Sequence, residues 1–483
     1  MKSYVIVGSG ISGIASAVEL LNIDANRRVV VVEKNATIGG RVKSAKFGAS
    51  EVSLGAEFLH GSKDNIVLEY AKEHMDVTRV ISMRWPQLVH VRGKGVFDAD
   101  HLASFDEIQH AEELIDQIEA EFDGDSDGET LCDIHHVPQQ RFRDYSIGDF
   151  LTRLNVTKES LGYQFLDATV ANDFCTTLDQ LGARELMRER RTWANGEDYV
   201  FLRDSNNKAI QMHDIFCALA QEARDRGVQF RLNMAVKRIE KTDDDKVVLT
   251  FGDGEQESFD ACIVAADLRS LCEIDVNTGS NSNREFKQDI RQFYEEAQGN
   301  AAKVLLQFSE RFFPANVWNL LCLPGDDVDS PVVPEFWQSH ADPCVIVAFL
   351  TSHRVHSVLH DDDSIELVLR QLAEALYGAY QFLKSQDTPS FLHMDESLHE
   401  NNDVCLECTR DELLQRLRDS LVAHRVHKWP YSYSHAVPNG AEARARLLRT
   451  QHKNLMFCGE ACRTNSALQG AMQSGITAAH ELH

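Results

Sequence analysis

A glycine-rich stretch near the start of the chain restricts its fold more than any other feature. The sequence "YVIVGSGISGIASAVELL" begins at Tyr4 and holds three glycines in the pattern G-x-G-x-x-G, namely Gly8, Gly10 and Gly13. Tyr4 to Val7 is short, apolar and rich in β-branched residues, which predicts a buried parallel strand. From Ile11 to Leu21 the apolar residues recur at helical spacing, which predicts a helix. The three glycines therefore lie on a strand-to-helix turn.

A turn of this kind is typical of folds that bind dinucleotides. Gly8 allows the tight turn, Gly10 lets a pyrophosphate approach the backbone, and Gly13 lets the helix pack close to the strand. The N-terminus of the helix, which includes Ile11 and Ser12, offers free N–H groups and a favourable dipole to an anion. The turn is therefore a candidate phosphate site.

An acidic residue follows at the spacing that a ribose contact requires. Val29 to Val32 predicts a second strand, and Glu33 stands at its end, 20 residues after Gly13. A carboxylate in that position accepts hydrogen bonds from ribose hydroxyls. Two strands, a helix and this acid together predict a Rossmann-type nucleotide domain. The alternative is an ordinary βαβ turn without a ligand, which would not require the glycines and the acid at these spacings.

The residues after Glu33 indicate which nucleotide is bound. They read K-N-A-T-I-G-G-R and end at Arg41. The pattern E-K-x(4)-G-G-R resembles the FAD-binding start of the flavin-containing amine oxidase superfamily. Two glycines allow close backbone approach, and an arginine can neutralise phosphate charge. The resemblance implies that Gly40 and Arg41 lie close to the pyrophosphate of FAD.

Six further segments resemble the same family, in family order from Leu54 to Leu482. They read LGAEFLHG, RLNMAVKRIE, DACIVAAD, AAKVLLQF, NLMFCGEACR and LQGAMQSGITAAHEL. The resemblance implies a Gly-Ala pair against the flavin, a valine backbone at the adenine, a closing F-x-G-E strand and a final helix that points at the flavin. An aromatic residue from "HKWPYSYSH" would frame the flavin. The cofactor contacts implied in this way are Gly55, Ala56, Val236, Trp429, Gly459, Glu460 and Leu468.

The resemblance also implies a reaction. Family members oxidise a C–N bond of an amine, polyamine or amino acid by hydride transfer to flavin N5. The imine is hydrolysed to a carbonyl product, and O2 becomes hydrogen peroxide. Lys303 lies where many members hold a water beside N5, and the alternative is a surface lysine at a strand edge. Glu57 and His60 are candidate substrate contacts, because a carboxylate could pair with a distal ammonium, and the alternative is that they support their loop. Tyr431 and Tyr433 are further candidates.

The length of the chain predicts two domains, since 483 residues exceed what one simple core accommodates. We predict an α/β, two-domain flavoprotein with the flavin ring at the junction, where ligand clefts commonly form. The Rossmann-type FAD-binding domain would be discontinuous and comprise residues 1–80, 205–275 and 425–483. A substrate-binding domain of mixed sheet plus helices would comprise residues 81–204 and 276–424.

Charge and cysteine content restrict the partners and the location. The formal net charge is −26, from 75 acidic and 49 basic residues. This charge argues against nucleic acid or an anionic membrane as partner and favours the approach of a cation. No apolar run reaches about 18 residues, so no membrane span is predicted. The eleven cysteines lie mostly in apolar runs, which indicates reduced thiols and a cytoplasmic location. No metal site is predicted.

Other interpretations of the sequence remain open. No cysteine lies in Trp429 to Ser434, where some members attach the flavin covalently, so non-covalent FAD is predicted. The first alternative is a desaturase or isomerase of the same fold that acts on a hydrophobic substrate, because "KWPYSYSHAVP" resembles stretches of that wider group. The second is a non-catalytic flavoprotein, because Ala461 to Ala467 holds no aromatic residue for a flavin cage. A small-molecule amine and O2 are the predicted partners.

Overall fold

A computed structural model of the chain describes residues 1–123, 144–193, 199–242, 244–277, 283–314, 317–328, 333–357, 362–385, 408–434, 437–438, 440, 444, 447–448, 451, 453–462 and 467–482. Its strands are β1 Ser3–Val7, β2 Arg28–Val32, β3 Ser44–Phe47, β4 Ser50–Ser53, β5 Leu59–His60, β6 Arg79–Met83, β7 Leu88–Val91, β8 Gly95–Asp98, β9 Tyr199–Arg203, β10 Ala209–Ile210, β11 Gln229–Arg231, β12 Val236–Lys241, β13 Val247–Phe251, β14 Gln256–Phe259, β15 Ala261–Val264, β16 Asp275–Asn277, β17 Gln298–Phe308, β18 Asn319–Leu323, β19 Glu335–Gln338, β20 Val345–Thr351, β21 Leu421–Ser434 and β22 Leu455–Phe457.

The helices lie between these strands and after the last of them. They are α1 Ile11–Ile23, α2 Ile66–His74, α3 Ala99–Leu102, α4 Asp106–Asp123, α5 Ile147–Arg153, α6 Leu161–Leu166, α7 Ala183–Trp193, α8 Met212–Asp225, α9 Leu268–Glu273, α10 Asn283–Ala297, α11 Asp362–Ser385, α12 Arg410–Ser420 and α13 Leu468–Glu481. No helix within the described ranges has the length and hydropathy to span a membrane.

A five-stranded parallel sheet forms one half of the architecture. Its order is β11-β2-β1-β15-β22, and each neighbouring pair runs parallel. β1 and β2 are valine-rich and almost entirely buried, as expected for strands covered on both faces. The helices α1, α8 and α13 contribute to the core cluster that packs on this sheet. The predicted strand-helix-strand unit and the Rossmann-type fold are confirmed.

A seven-stranded mixed sheet forms the other half. Its order is β21-β17-β20-β19-β18-β7-β8, with β18 and β7 parallel and the other pairs antiparallel. One face packs against α11 and α12 through residues such as Val304, Leu306, Val368 and Leu372. The predicted mixed sheet plus helices is confirmed, and the opposite face of the sheet is left to line a cavity.

The register of this sheet places a row of side chains on that opposite face. Lys303 of β17 lies opposite His427 of β21 on one side and Phe349 of β20 on the other. Phe349 lies in turn opposite Glu335 of β19. Because residues directly opposite one another share a face, these four side chains leave the sheet on the same side. Residues far apart in sequence are thereby brought into one row.

The strand β21 crosses one predicted boundary. The sequence predicts a helix from Glu412 to Val422, but α12 ends at Ser420 and a strand begins at the next residue. The stretch "LVAHRVHKWPYSYS" holds two valines, one tryptophan and two tyrosines, residue types that favour strands, and its pairing with β17 overrides the helical pattern. The boundary predicted at residue 425 falls inside this strand, and the division into five pieces stays a prediction.

Candidate active site

A cavity of about 610 Å³ is lined by residues from both sheets. It extends from the carboxyl edge of the parallel sheet, where doubly wound folds bind ligands, to the open face of the mixed sheet. Most of the residues predicted from the sequence to contact the cofactor line it, although they come from eight separate segments. They are Gly8, Gly10, Ile11, Ser12, Glu33, Gly40, Arg41, Gly55, Ala56, Val236, Trp429, Gly459, Glu460 and Leu468.

The glycine turn has the geometry that a phosphate requires. Gly8 has a φ of +106°, and a Cβ added to it would lie 2.6 Å from the carbonyl oxygen of Ala265. A Cβ on Gly13 would lie 2.2 Å from the carbonyl oxygen of Gly8, so this glycine serves the packing of helix on strand rather than the lining of the cavity. At Gly10 no described atom lies within 4 Å of an added Cβ. The backbone there is open to an approaching anion.

Two helices begin at the cavity without a side chain to cap them. The N-cap residues are Gly10 for α1 and Ala467 for α13, and neither makes a side-chain cap hydrogen bond within the described residues. Leu468 and Ala471 of the first turn of α13 line the cavity. The N–H groups of a helix N-terminus and its dipole favour negative charge. Two helix N-termini at one cavity fit a ligand that has a pyrophosphate and, some distance from it, a second electron-rich group, as FAD has in its flavin ring.

Glu33 already has protein partners. One carboxylate oxygen accepts hydrogen bonds from the Ser9 N–H at 3.0 Å and the Ser9 hydroxyl at 2.7 Å. The other accepts from the Asn35 N–H at 2.9 Å and the Asn35 side-chain amide at 2.7 Å. Glu33 therefore fastens the glycine turn to the end of β2. A ribose diol at this position would hydrogen-bond to a carboxylate that Ser9 and Asn35 already hold in place.

Arg41 lies in a small buried network. Its guanidinium donates to Glu460 at 2.8 Å and to the carbonyl oxygen of Ser432 at 2.9 Å. The hydroxyl of Tyr431 donates to the same Glu460 oxygen at 3.1 Å, and Arg41 lies over the Tyr431 ring. About a third of the Arg41 side chain, 32%, stays accessible on the cavity side. The network holds Arg41 at the cavity wall, where its guanidinium can bind a phosphate. The Tyr431 hydroxyl already donates to Glu460, and its predicted contact with substrate stays a prediction.

Lys303 is not a surface lysine at the edge of a strand. β17 begins five residues earlier, at Gln298, and Lys303 is 5% exposed in the middle of it. Its ammonium donates to Glu57 Oε2 at 2.8 Å and to the carbonyl oxygen of Gly55 at 2.9 Å. The alternative of a strand-edge lysine is therefore wrong. Glu57, predicted as a substrate contact, is the ion-pair partner of Lys303.

The wall around His60 is aromatic. Phe58 packs on Tyr199 at a ring separation of 4.1 Å, and the His60 ring lies 5.2 Å from the Tyr199 ring. Trp337 and Phe349 extend this wall along the mixed sheet. Burial lowers the pKa of His60 to about 4, so its ring is neutral at pH 7. Its predicted role stays a prediction, as does that of Tyr433, whose side chain lies outside the described part of the chain.

Two acids in this part of the cavity were missed from the sequence. Glu335 and Asp173 both line it. The Trp85 indole N–H donates to Glu335 at 2.6 Å, and the Tyr199 hydroxyl donates to Asp173 at 3.1 Å. Burial, together with the charge of Asp173, raises the pKa of Glu335 to about 8. Glu335 is the single acid within the apolar run "VVPEFWQ", and an acid in such a run is the feature of the sequence that could have indicated it.

Comparison with known families identifies the family to which the chain belongs. The sequence profile described as flavin containing amine oxidoreductase matches residues 11–483. The chain belongs to this family. FAD is accordingly its cofactor, and no covalent attachment is expected from the sequence around Trp429. The glycine turn, Glu33, Arg41 and the two helix N-termini fit this cofactor, since together they provide phosphate and ribose contacts.

Curated relatives and solved structures agree with the family. Probable polyamine oxidase 5 of Arabidopsis thaliana is 34% identical over 70 residues, 14% of this chain and 13% of the relative. Polyamine oxidase 4 of Oryza sativa subsp. japonica is 25% identical over 56% of this chain and 52% of the relative. The match to the rice relative thus spans about half of that protein. Wild-type putrescine oxidase bound to putrescine superposes with a TM-score of 0.67, at 14% identity, over 100% of this chain and 98% of that chain.

Glu33→Ala is expected to weaken FAD binding about 5- to 150-fold. The variant loses a charged hydrogen bond to ribose, worth about 1–3 kcal/mol. It also releases Ser9, so the glycine turn loses an anchor. Heat denaturation of the purified protein releases free FAD, and titration of the stripped protein with FAD measures the affinity. Glu19→Ala on the far side of α1, outside the cavity lining, is the matched control. Equal affinities in the two variants would contradict the assignment of Glu33.

Proposed function

We propose that the chain is an FAD-dependent oxidase of a C–N bond in a small substrate that carries a second positive charge, such as a diamine or polyamine. FAD, when bound, supplies the acceptor of the substrate hydride at its N5 atom and passes the electrons to O2, which gives hydrogen peroxide. An imine and then a carbonyl compound would be the organic products. The observation that carries the proposal is the buried carboxyl group of Glu335 in the cavity.

Glu335 provides a place for a cation. It is 2% exposed, and among the described residues no lysine or arginine forms an ion pair with it. Its raised pKa, about 8, reflects the cost of holding a charge there without a close cationic partner. A substrate ammonium would supply that partner. Asp173, whose charge contributes to the raised pKa of Glu335, adds negative potential at the same place.

The register of the sheet supports an extended substrate. Glu335 lies two strands away from Lys303, through Phe349, and neighbouring strands are about 4.8 Å apart. The two backbones are therefore separated by roughly 10 Å. The family resemblance puts the reacting carbon near Lys303. A molecule that reacts there and also reaches Glu335 needs several bonds between its two nitrogens, as in diamines and polyamines.

The remaining walls suit the reacting amine. Hydride loss needs the nitrogen beside the carbon to be neutral, and an apolar wall disfavours its protonated form. Phe58, Tyr199, Trp337 and Phe349 supply such a wall and exclude water. His60, neutral at pH 7, adds no positive charge that would repel the substrate. This part of the cavity therefore combines aromatic walls with two acids, which suits a substrate that carries both an alkyl chain and a second charge.

A desaturase or isomerase acting on a hydrophobic substrate fits these residues less well. A hydrocarbon chain beside the buried Glu335 and the half-buried Asp173 would offer neither carboxyl group a charge or a hydrogen bond. The deciding experiment is a panel of monoamines, diamines, polyamines and amino acids, with peroxide formation as the readout. We expect turnover of diamines or polyamines and little turnover of monoamines. A bound, reducible flavin with no turnover of any amine would overturn the proposal in favour of a non-catalytic flavoprotein.

A further inference from the structure

Lys303 and Glu57 form an ion pair that is buried at both ends. The two side chains are 6% and 5% exposed, and Nζ to Oε2 measures 2.8 Å. The pair joins β17 of the mixed sheet to the Ser53–Glu57 segment, which lies across from it and carries the Gly-Ala pair that the family places against the flavin. Both residues line the cavity. The pair therefore lies in the wall of the cavity that the FAD-binding residues share.

Each N–H donor of the Lys303 ammonium has an acceptor on the Ser53–Glu57 segment. An ammonium has three N–H donors and no acceptor. Glu57 takes one, the carbonyl oxygen of Gly55 takes a second at 2.9 Å, and the carbonyl oxygen of Ser53 lies at 3.5 Å, a long third contact. The ring of Trp337 lies 5.2 Å from Nζ. Lys303 is thus held in one place, and its positive charge is offset by a carboxylate in direct contact.

We propose that Glu57 is a positioning residue that fixes the Lys303 ammonium and neutralises its charge toward the flavin. The proposal rests on the proposed function, in which Lys303 acts beside the cofactor. It assigns Glu57 a task that differs from substrate binding. The carboxylate keeps the lysine on the Ser53–Glu57 segment, and it lowers the electrostatic stabilisation that a bare ammonium would give to a reduced, negatively charged flavin.

Other titratable groups face the same ammonium. Glu335 approaches from β19, and His427, with a pKa lowered to about 4 by burial and by Arg425, Lys43 and Lys303, approaches from β21. His427 is neutral above pH 5 and Glu335 is largely neutral below pH 8, so between these values Glu57 is the direct counter-charge of Lys303. Measurements between pH 6 and 7.5 therefore report on the pair.

The pH dependence of unfolding tests the pairing in the full-length holoprotein. In Glu57→Gln the ammonium is buried without its partner and favours losing its proton, so stability rises with pH. In Lys303→Met the carboxylate is buried alone and favours gaining a proton, so stability rises as the pH falls. The double variant Glu57→Gln with Lys303→Met buries neither charge, so both of these pH dependences of stability should disappear. Parallel pH profiles in the two single variants would overturn the ion pair as the resting arrangement.

The midpoint potential of bound FAD tests the positioning role. We expect Glu57→Gln to shift it to more positive values, Lys303→Met to more negative values, and Glu57→Asp to stay near wild type. Asp167→Asn is the matched control, because Asp167 forms a largely buried ion pair with Arg354 outside the cavity lining. This variant should lower stability without moving the potential. A Glu57→Gln potential equal to wild type would overturn the proposal. The potential is measured without substrate, so a failed amine panel leaves this test intact.

Discussion

Glu335→Gln is expected to raise the KM for a diamine or polyamine about 10- to 100-fold. The variant keeps the size of the side chain and a hydrogen-bond acceptor for Trp85. It removes the carboxyl group that, in the proposed function, gives up its proton to pair with the second ammonium of the substrate. Loss of a buried charged hydrogen bond is worth about 1.5–3 kcal/mol. Flavin reduction at saturating substrate should change much less, because the proposed function puts the reacting nitrogen near Lys303, about two strands away from Glu335. Steady-state and rapid-mixing kinetics separate the two effects.

The control for this variant is a matched substrate. A monoamine with an alkyl chain in place of the second amine should react with similar kcat/KM in wild type and Glu335→Gln. Equal KM values for the diamine in both proteins would remove Glu335 from the site. The pH profile gives an independent check: since the pKa of Glu335 is about 8, the apparent affinity for a dication should improve as the pH rises through 8 in wild type but not in the variant.

The same substitution changes the pH dependence of stability. The ordinary pKa of a glutamate is 4.5, and burial raises that of Glu335 to about 8. The unfolded chain therefore loses this proton first, and stability falls as the pH rises between these two values. Glu335→Gln removes that loss. We expect the variant and wild type to unfold at similar temperatures near pH 4.5, and the variant to be the more stable near pH 8.5.

Lys303→Met is expected to destabilise the protein by about 3–5 kcal/mol and to slow flavin reoxidation by O2 about tenfold or more. From the sequence alone the fold is expected to survive this change intact. The structure alters that expectation, because the substitution leaves the buried Glu57 carboxylate without its partner, which is costly. In the proposed function Lys303 lies beside the flavin, so loss of its cation removes about 1.4 kcal/mol or more of transition-state stabilisation from flavin reoxidation.

The double variant Lys303→Met with Glu57→Gln separates the two effects. It buries no unpaired charge, so much of the lost stability should return, whereas reoxidation should stay slow because the cation is still missing. Chemical denaturation and stopped-flow reoxidation measure the two quantities in the same samples. Wild-type reoxidation in both variants would show that Lys303 has only a structural role.

The sequence by itself determined the nucleotide half of this protein. Gly8, Gly13 and Glu33 lie within one strand-helix-strand unit, where each requirement is local: a turn with positive φ, close helix packing and an acid at the end of the next strand. Local patterns survive in a linear sequence because neighbouring residues stay neighbours in the fold. The FAD assignment followed from the family resemblance that these patterns carry, and the family match confirms it. The role of Lys303 beside the flavin stays a prediction.

Only the tertiary structure shows which residues meet at the proposed substrate end of the cavity. Glu335 joins Lys303 only through the register of three strands, and Asp173 reaches the same cavity from a helical segment far away in the chain. The sequence predicts Glu57 as a substrate contact, whereas in the fold it pairs with Lys303, which is 246 positions away in the chain. A one-residue slip of β17 or β19 would turn Lys303 or Glu335 to the other face of the sheet. Nothing in the local sequence encodes that alignment, because it is fixed by packing of the whole sheet.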